Sequence, residues 1–241
     1  MSPTSPNIGG LVLAGGEGSR LAAANTPKPL VEVGGTPLIV RQAETLGHLG
    51  CTSVTCMIRD EFPGAREVLR RRTWLRPVAA HLCHTPSSLH TLAEGLAHVP
   101  EGPVFATMVD TVMRWDDWRA CWSGAMAALA AGVDVVLAVT PFVDDERALW
   151  VTRDAEGGVR GLGEKPTDPP CVTGGVYAFA PGVRPLAALA VRNGMHRMRA
   201  FLADLVTRGL RVTAVEVPRI IDLDRPSDLE LATAWMAGGA L

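Results

Sequence analysis

Five short apolar runs, at residues 8–14, 53–58, 78–82, 104–109 and 133–139, alternate with four stretches of helical period, at 38–49, 64–72, 88–98 and 115–131. The runs are too continuously apolar to leave one face in water, so each suits a parallel strand covered on both sides. This β-α-β-α rhythm predicts an α/β chain with a Rossmann-like, mostly parallel sheet flanked by helices. Right-handed crossovers then bring the loops that follow the strands to one edge, which is where such sheets bind ligands. Residues 15–28 follow the first run and Asp110 follows the fourth, so both are expected at that edge.

The rhythm changes in the last third. Segments 150–153 and 159–162 flank a hairpin-like turn at 154–158, and 172–179 reads as a further strand carrying Gly174 and Gly175. A helix is expected over 195–207 with Gly209 as its stop, then a strand over 211–217 and a closing helix over 226–236 capped by Asp224. We read one domain over 1–241, with a nucleotide-binding half at about 8–140 and a small β-rich acceptor lobe at about 141–241. With 23 Lys+Arg against 25 Asp+Glu, no basic surplus points to nucleic acid. Five scattered cysteines form no C-x-x-C pair, and residues 1–7 read as a frayed tail rather than a leader, so a reducing cytoplasm is expected. No apolar run approaches the ~18 residues of a membrane span.

The first apolar run ends in Gly15-Gly16-Glu17-Gly18-Ser19-Arg20, and Lys28 follows between two prolines. A strand ending in a glycine turn, with Arg and Lys nearby, presents backbone N–H groups and fixed cations to phosphate. The loop lacks the Gly-Lys-Ser/Thr of a Walker A motif, and Leu21 occupies the third glycine position of a dinucleotide fingerprint. Taken with Thr26-Pro27-Lys28-Pro29-Leu30 and Val33-Gly34-Gly35-Thr36-Pro37-Leu38-Ile39, it resembles the sugar-1-phosphate nucleotidylyltransferases, which wrap this segment around an NTP. Thr36 departs from the lysine usual there.

The resemblance implies roles for individual residues. Leu13, Ala14, Gly15, Gly16, Gly18 and Ser19 would meet the nucleotide, Arg20 the departing pyrophosphate and Lys28 the reacting phosphate. His84, Ser87 and Ser88 fall where the family reads the base, though without its usual motifs; either serine also serves as a helix cap. Asp110, at the end of a buried strand, and an acid near the C-terminus would bind Mg²⁺. Asp222 and Asp224 both qualify for the second position, and the Asp-x-Asp form resembles the cytidylyltransferase branch. Glu164 and Lys165 match the family's Glu-Lys-Pro, with Lys165 on the acceptor phosphate; a solvated ion pair is the plain alternative. Thr173, Gly174 and Gly175 match its sugar-facing strand, along with Asp110. Residues 195–199 offer two readings, a contact for an anionic acceptor and the plainer one of a helix face with Met inward and Arg outward.

The function implied is Mg²⁺-dependent joining of an NTP and a sugar 1-phosphate, with pyrophosphate released. The alternatives are a cytidylyltransferase acting on a phospho-alcohol or phospho-polyol, and a non-catalytic nucleotide-sensing subunit. Retention of Arg20, Lys28, Asp110 and Lys165 argues against the last. Asp110-Thr111-Val112 lacks the second acid that a glycosyltransferase shows at this strand end. The partners implied are an NTP and a phosphorylated small molecule, with a homodimer as the family-level expectation.

Overall fold

Val, Ile, Leu and Ala fill the strand interiors, and β-branched side chains pack well on a pleated surface. The computed structural model describes residues 7–16, 26–144 and 147–238. It begins with β1 (Gly9–Ala14), a 3-10 turn at Lys28–Leu30, the strands β2 (Glu32–Val33) and β3 (Thr36–Pro37), and α1 (Leu38–Leu49). Then come β4 (Ser53–Arg59), α2 (Pro63–Arg70), β5 (Val78–Cys83), α3 (Ser88–His98), β6 (Val104–Met108), β7 (Thr111–Val112), α4 (Trp115–Ala130) and β8 (Val135–Thr140). The last third holds β9 (Trp150–Arg153), β10 (Val159–Gly163), β11 (Val172–Phe179), α5 (Val183–Arg192), α6 (Met198–Thr207), β12 (Val212–Glu216), β13 (Ile221–Asp222) and α7 (Pro226–Ala237).

Nine strands form one sheet in the order β10-β9-β11-β6-β1-β4-β5, with β8 on β11 and β12 on β8. β1 pairs in parallel with β4 and β6, β4 with β5, and β8 with β12. β11 runs antiparallel between β6 and β8. The sheet is thus mostly parallel at its centre, as the alternating pattern predicts. The β-rich character of the last third is carried by β9, β10 and β11, which extend this same sheet, and by the small antiparallel pair β7–β13.

Every residue of β1 is buried, and its side chains alternate between two cores. Val12 and Ala14 join the cluster with Leu46, Ile58 and Trp118, whereas Leu11 and Leu13 join the one with Met57, Leu92 and Phe201. A period of two along a strand covered on both faces produces this division. All five cysteines are buried free thiols.

The structure departs from the expected elements in several places, the short strands β2, β3, β7 and β13 among them. α5, over Val183–Arg192, was not among the expected elements; its Pro185 stands in the first turn, where a missing N–H costs nothing. The helix expected from residue 195 starts at Met198, with Arg197 still extended at φ −113° and ψ 133°. Asp224 does not cap α7. Arg225 is its N-cap residue, and Asp228 Oδ2 accepts the backbone N–H groups of Arg225 (2.7 Å) and Asp224 (2.9 Å).

β11 carries the irregularity that shapes the binding edge. Its register against β8 shifts between Thr173 and Tyr177, leaving Gly174 and Gly175 as a bulge. Gly175 has φ +72°, and a Cβ there would stand 2.6 Å from Thr111 Oγ1, so only glycine lets β7 approach. The bulge makes room for β7–β13 beside the carboxyl end of β6.

Candidate active site

The carboxyl ends of β1, β4 and β6 bring together segments far apart in sequence. At the end of β1, a Cβ on Gly15 would lie 2.6 Å from Thr91 Oγ1, so the backbone passes hard against α3. Arg59, at the end of β4, is buried and donates to the Gly15 carbonyl at 3.4 Å. Its Nε and Nη2 donate to Glu61 at 2.8 and 3.2 Å, which holds the guanidinium in place.

Lys28 is the buried cation of the site. Pro27 and Pro29 restrict the backbone around it, and the residue is only 8% exposed. Its Nζ donates to Asp110 Oδ2 at 2.7 Å and to Asp224 Oδ1 at 2.8 Å. Burial pushes the ammonium pKa down, but the Asp110 and Asp224 carboxylates outweigh it and hold the pKa above the ordinary lysine value. A buried charge persists only when paired in this way.

Asp222 lies in β13, opposite Thr111 of β7. Burial first, then the neighbouring Asp110 charge, push its carboxyl up to about 8. The Thr111 hydroxyl lies 3.1 Å from Asp222 Oδ1 and 3.2 Å from the Gly174 carbonyl. One hydroxyl proton serves one acceptor at a time, so Thr111 donates to either Asp222 or the Gly174 carbonyl.

Gln42 was missed in the sequence. Buried within α1, it donates from Nε2 to the carbonyls of Val109 and Thr111, on either side of Asp110. It is a positioning residue for the carboxylate between them. Its only sequence signal is a polar residue on the apolar face of an amphipathic helix.

The other expected residues divide into groups. Leu13 and Ala14 have core side chains, and the Leu13 carbonyl already accepts the Val109 N–H at 3.1 Å, so a ligand would meet backbone there. Gly18, Ser19 and Arg20 lie outside the described residues. Ser87, not Ser88, caps α3, accepting from the His90 N–H. Both serines line a cavity of about 320 Å³ that also reaches Asp110, Thr173, Gly175, Asp222 and Asp224. Gly174 lines an adjoining cavity of about 290 Å³ that shares Thr173, Asp222 and Asp224 with it. His84 is exposed at the end of β5, with Nδ1 3.2 Å from Asp60 Oδ1.

Glu164 and Lys165 are exposed beyond β10 and line neither cavity. Glu164 pairs with Arg199 at 3.6 Å. The cavity wall nearest them is formed by Arg197, Arg199 and Arg147, where the sequence pattern suggested outward-facing arginines on a helix. The extended backbone at Arg197 is what turns this segment toward the cavity.

Among the described residues, the group of three metal-capable side chains with donor atoms all within 4.8 Å of one another is Asp60, Glu61 and His84. It is exposed, and Arg59 already engages both oxygens of Glu61. Asp110 and Asp224 are instead drawn to either side of Lys28. Among the described residues no helix is long and apolar enough to cross a membrane.

Comparison with known proteins gives this geometry a context. Residues 10–207 match the model of the MobA-like NTP transferase domain. A mannose-1-phosphate guanyltransferase of Pichia angusta is 45% identical over 51 residues, which is 20% of this chain and only 14% of that protein's length. The structure of an inositol-1-phosphate CTP transferase from T. maritima superposes with a TM-score of 0.75 at 15% identity, covering 99% of both chains. A Bacillus anthracis structure, assigned as a glucose-1-phosphate thymidylyltransferase and holding a sucrose, gives 0.77 at 18% identity over 97% of both chains. The structural likenesses establish the shared fold, and the match over residues 10–207 establishes that the chain belongs to the MobA-like NTP transferase domain family.

Proposed function

We propose that this protein transfers the nucleotidyl group of an NTP to a phosphorylated small molecule, first of all a sugar 1-phosphate, and releases pyrophosphate. The observation that carries this reading is the buried Lys28 between Asp110 and Asp224, at the sheet edge where Gly15 also ends β1. An acceptor phosphate oxygen attacks the α-phosphorus, the bond from that phosphorus to the bridging oxygen breaks, and the electron pair leaves with pyrophosphate. The acceptor is already an anion, so no proton has to be removed. Catalysis is then positioning and charge neutralisation. Lys28 neutralises the reacting phosphate, the backbone at Gly15 and Gly16 cradles the nucleotide, and Arg20 holds the pyrophosphate. Lys165, exposed beyond β10, is assigned to the acceptor phosphate by the Glu-Lys-Pro resemblance alone.

The family resemblance implies Mg²⁺, and the donor set fits it. Two carboxylates, Asp110 and Asp224, share one buried ammonium, and Asp222 is buried beside Asp110, which raises its pKa. Carboxylate oxygens of this kind suit a hard divalent cation, which Asp110 with Asp222 or Asp224 would hold. Bound there, it would supply charge stabilisation to the phosphates.

Pyrophosphate release, measured with four NTPs against a panel of sugar 1-phosphates with Mg²⁺ or EDTA, is the test. Turnover that needs Mg²⁺ supports the reading; nucleotide binding without turnover across the panel replaces it with a sensing role. A second reading, CTP with a phospho-alcohol, is favoured by Asp222-Leu223-Asp224 and by the full-length likeness to the inositol-1-phosphate CTP transferase. Product from CTP and inositol 1-phosphate alone selects it.

A further inference from the structure

We propose that Asp228, buried in the first turn of α7, is a positioning residue for the reaction: it holds the Asp224 carboxylate against Lys28. This rests on the nucleotidyltransferase reading above and adds to it a residue that acts through another.

In the sequence, Asp224-Arg225-Pro226-Ser227-Asp228 reads as a turn into a helix, with an acid three residues past the N-cap. An acid there ordinarily reaches back to the N–H of the N-cap residue and does nothing more. Asp228 does more. Its Oδ2 accepts the Arg225 N–H at 2.7 Å and also the Asp224 N–H at 2.9 Å, one residue beyond the cap. Asp224 is the residue whose Oδ1 receives Lys28 Nζ at 2.8 Å. The Asp224 side chain is 44% exposed, so its own burial does not fix it. Besides Asp228, its N–H has the Asp222 carbonyl at 3.1 Å, a contact within the same short turn.

Asp228 is itself held fast. It is only 3% exposed, and a buried carboxylate persists only when both oxygens are satisfied. Oδ1 lies 3.3 Å from Arg225 Nε, and Nη2 of the same guanidinium donates to the Asp144 carbonyl at 2.6 Å. The start of α7 adds its own preference for negative charge. On the other flank of Asp224, the Leu223 N–H donates to the Asp110 carbonyl at 3.1 Å, and the Leu223 side chain is fully buried. Asp224 is therefore held from both neighbours, through Leu223 toward Asp110 and through Arg225 toward the loop after β8.

The two partners of Lys28 thus have matching supports. Gln42 grips the carbonyls on either side of Asp110, and Asp228 grips the N–H groups of Asp224 and its neighbour. Without the second support, Asp224 is free to turn toward water, and Lys28 leans on Asp110 alone. The ammonium then moves off the position it takes between the two acids. A displacement of about 1 Å in a reacting or neutralising group costs up to about 10²-fold in rate.

The test is a pair of double-mutant cycles on the full chain, one read by pyrophosphate release with Mg²⁺ and the best NTP and acceptor of the wild type, the other by urea unfolding. Asp228→Asn keeps the size of the side chain but loses its charge and one acceptor oxygen. Its kcat is expected to fall about tenfold or more, with the KM for the NTP within about twofold. In an Asp224→Asn background the same substitution should cost about twofold or less, because the carboxylate it positions is gone. Equal fold losses in the two backgrounds overturn the proposal and leave Asp228 as a helix cap. The unfolding cycle needs no turnover. Asp228→Asn should raise the unfolding constant about tenfold in the wild type and about threefold or less in Lys28→Met, where Asp224 has no ammonium to be held against. Equal increases in the two backgrounds overturn the link to Lys28. If the increases differ but no NTP yields pyrophosphate, the reaction proposed above fails and the link from Asp228 to Lys28 stands. Should Asp228→Asn melt below the assay temperature, Asp228→Glu, which keeps a capping carboxylate on a longer arm, takes its place in both cycles with the same outcomes.

Discussion

The two sides of the cavity are built on opposite principles. The Lys28 side is buried: its ammonium sits between two carboxylates at 2.7 and 2.8 Å, and Gln42 grips the backbone on both flanks of Asp110. The arginine side is open, with one guanidinium that has no partner among the described residues and one paired only through exposed Glu164. Buried, mutually satisfied charges have one low-energy arrangement, and disturbing any member strands the rest. Exposed cations on a helix start tolerate replacement, because water takes over what the ligand leaves.

That contrast can be broken by mutation, and the largest effect should come from the buried side. Lys28→Ala is expected to lower turnover by about 10²–10³-fold, the usual loss when one preorganised charge is removed. Steady-state pyrophosphate release checks it, and near-normal turnover would remove Lys28 from the chemistry. Next in size is Gln42→Met. Two buried carbonyls lose their donor, so unfolding stability should fall by about 2–3 kcal/mol by denaturant titration. Turnover should fall with it through kcat rather than KM, since Asp110 is loosened while the cavity is unchanged. Asp228→Ala removes the acceptor for two backbone N–H groups at the start of α7. A loss of about 1–2 kcal/mol is expected, with faster hydrogen exchange concentrated at residues 222–228. Arg197→Gln should be the mildest for the fold, shifting unfolding by no more than about 0.5 kcal/mol. If it destabilises the protein as much as Gln42→Met does, the distinction between the two sides collapses.

The same contrast governs what could be read in the sequence. Helix and strand limits follow local periodicity, and α1, α3, β9 and β11 match the expected spans residue for residue. Lys28 and Asp110 were legible because each ends a local pattern, a proline-flanked turn and a buried strand. Asp224 was read as a helix cap by a rule that looks four residues ahead; the lysine that claims its side chain lies 196 residues back. Gln42 speaks only to main-chain carbonyls 67 and 69 residues away, which leave no mark in side-chain spelling. Glu164 and Lys165 are the converse case: a motif that reads clearly, in a segment that is exposed and outside both cavities. The arginines were assigned outward because a helical period was carried through 195–197, where the backbone is still extended at Arg197.

The ion pair from Lys28 to Asp224 spans 196 residues, from near the start of the chain to near its end. Closing so long a loop is entropically slow, and the contact forms only after the sheet between its ends is in place. A chain emerging from the ribosome can complete β1, β4, β5 and β6 with Lys28 facing Asp110 alone. The second carboxylate arrives only when β13 and α7 are made. On the proposed reaction, competence would be among the last properties this protein acquires during its synthesis, and a product truncated before residue 222 would keep most of the sheet while lacking Asp222 and Asp224.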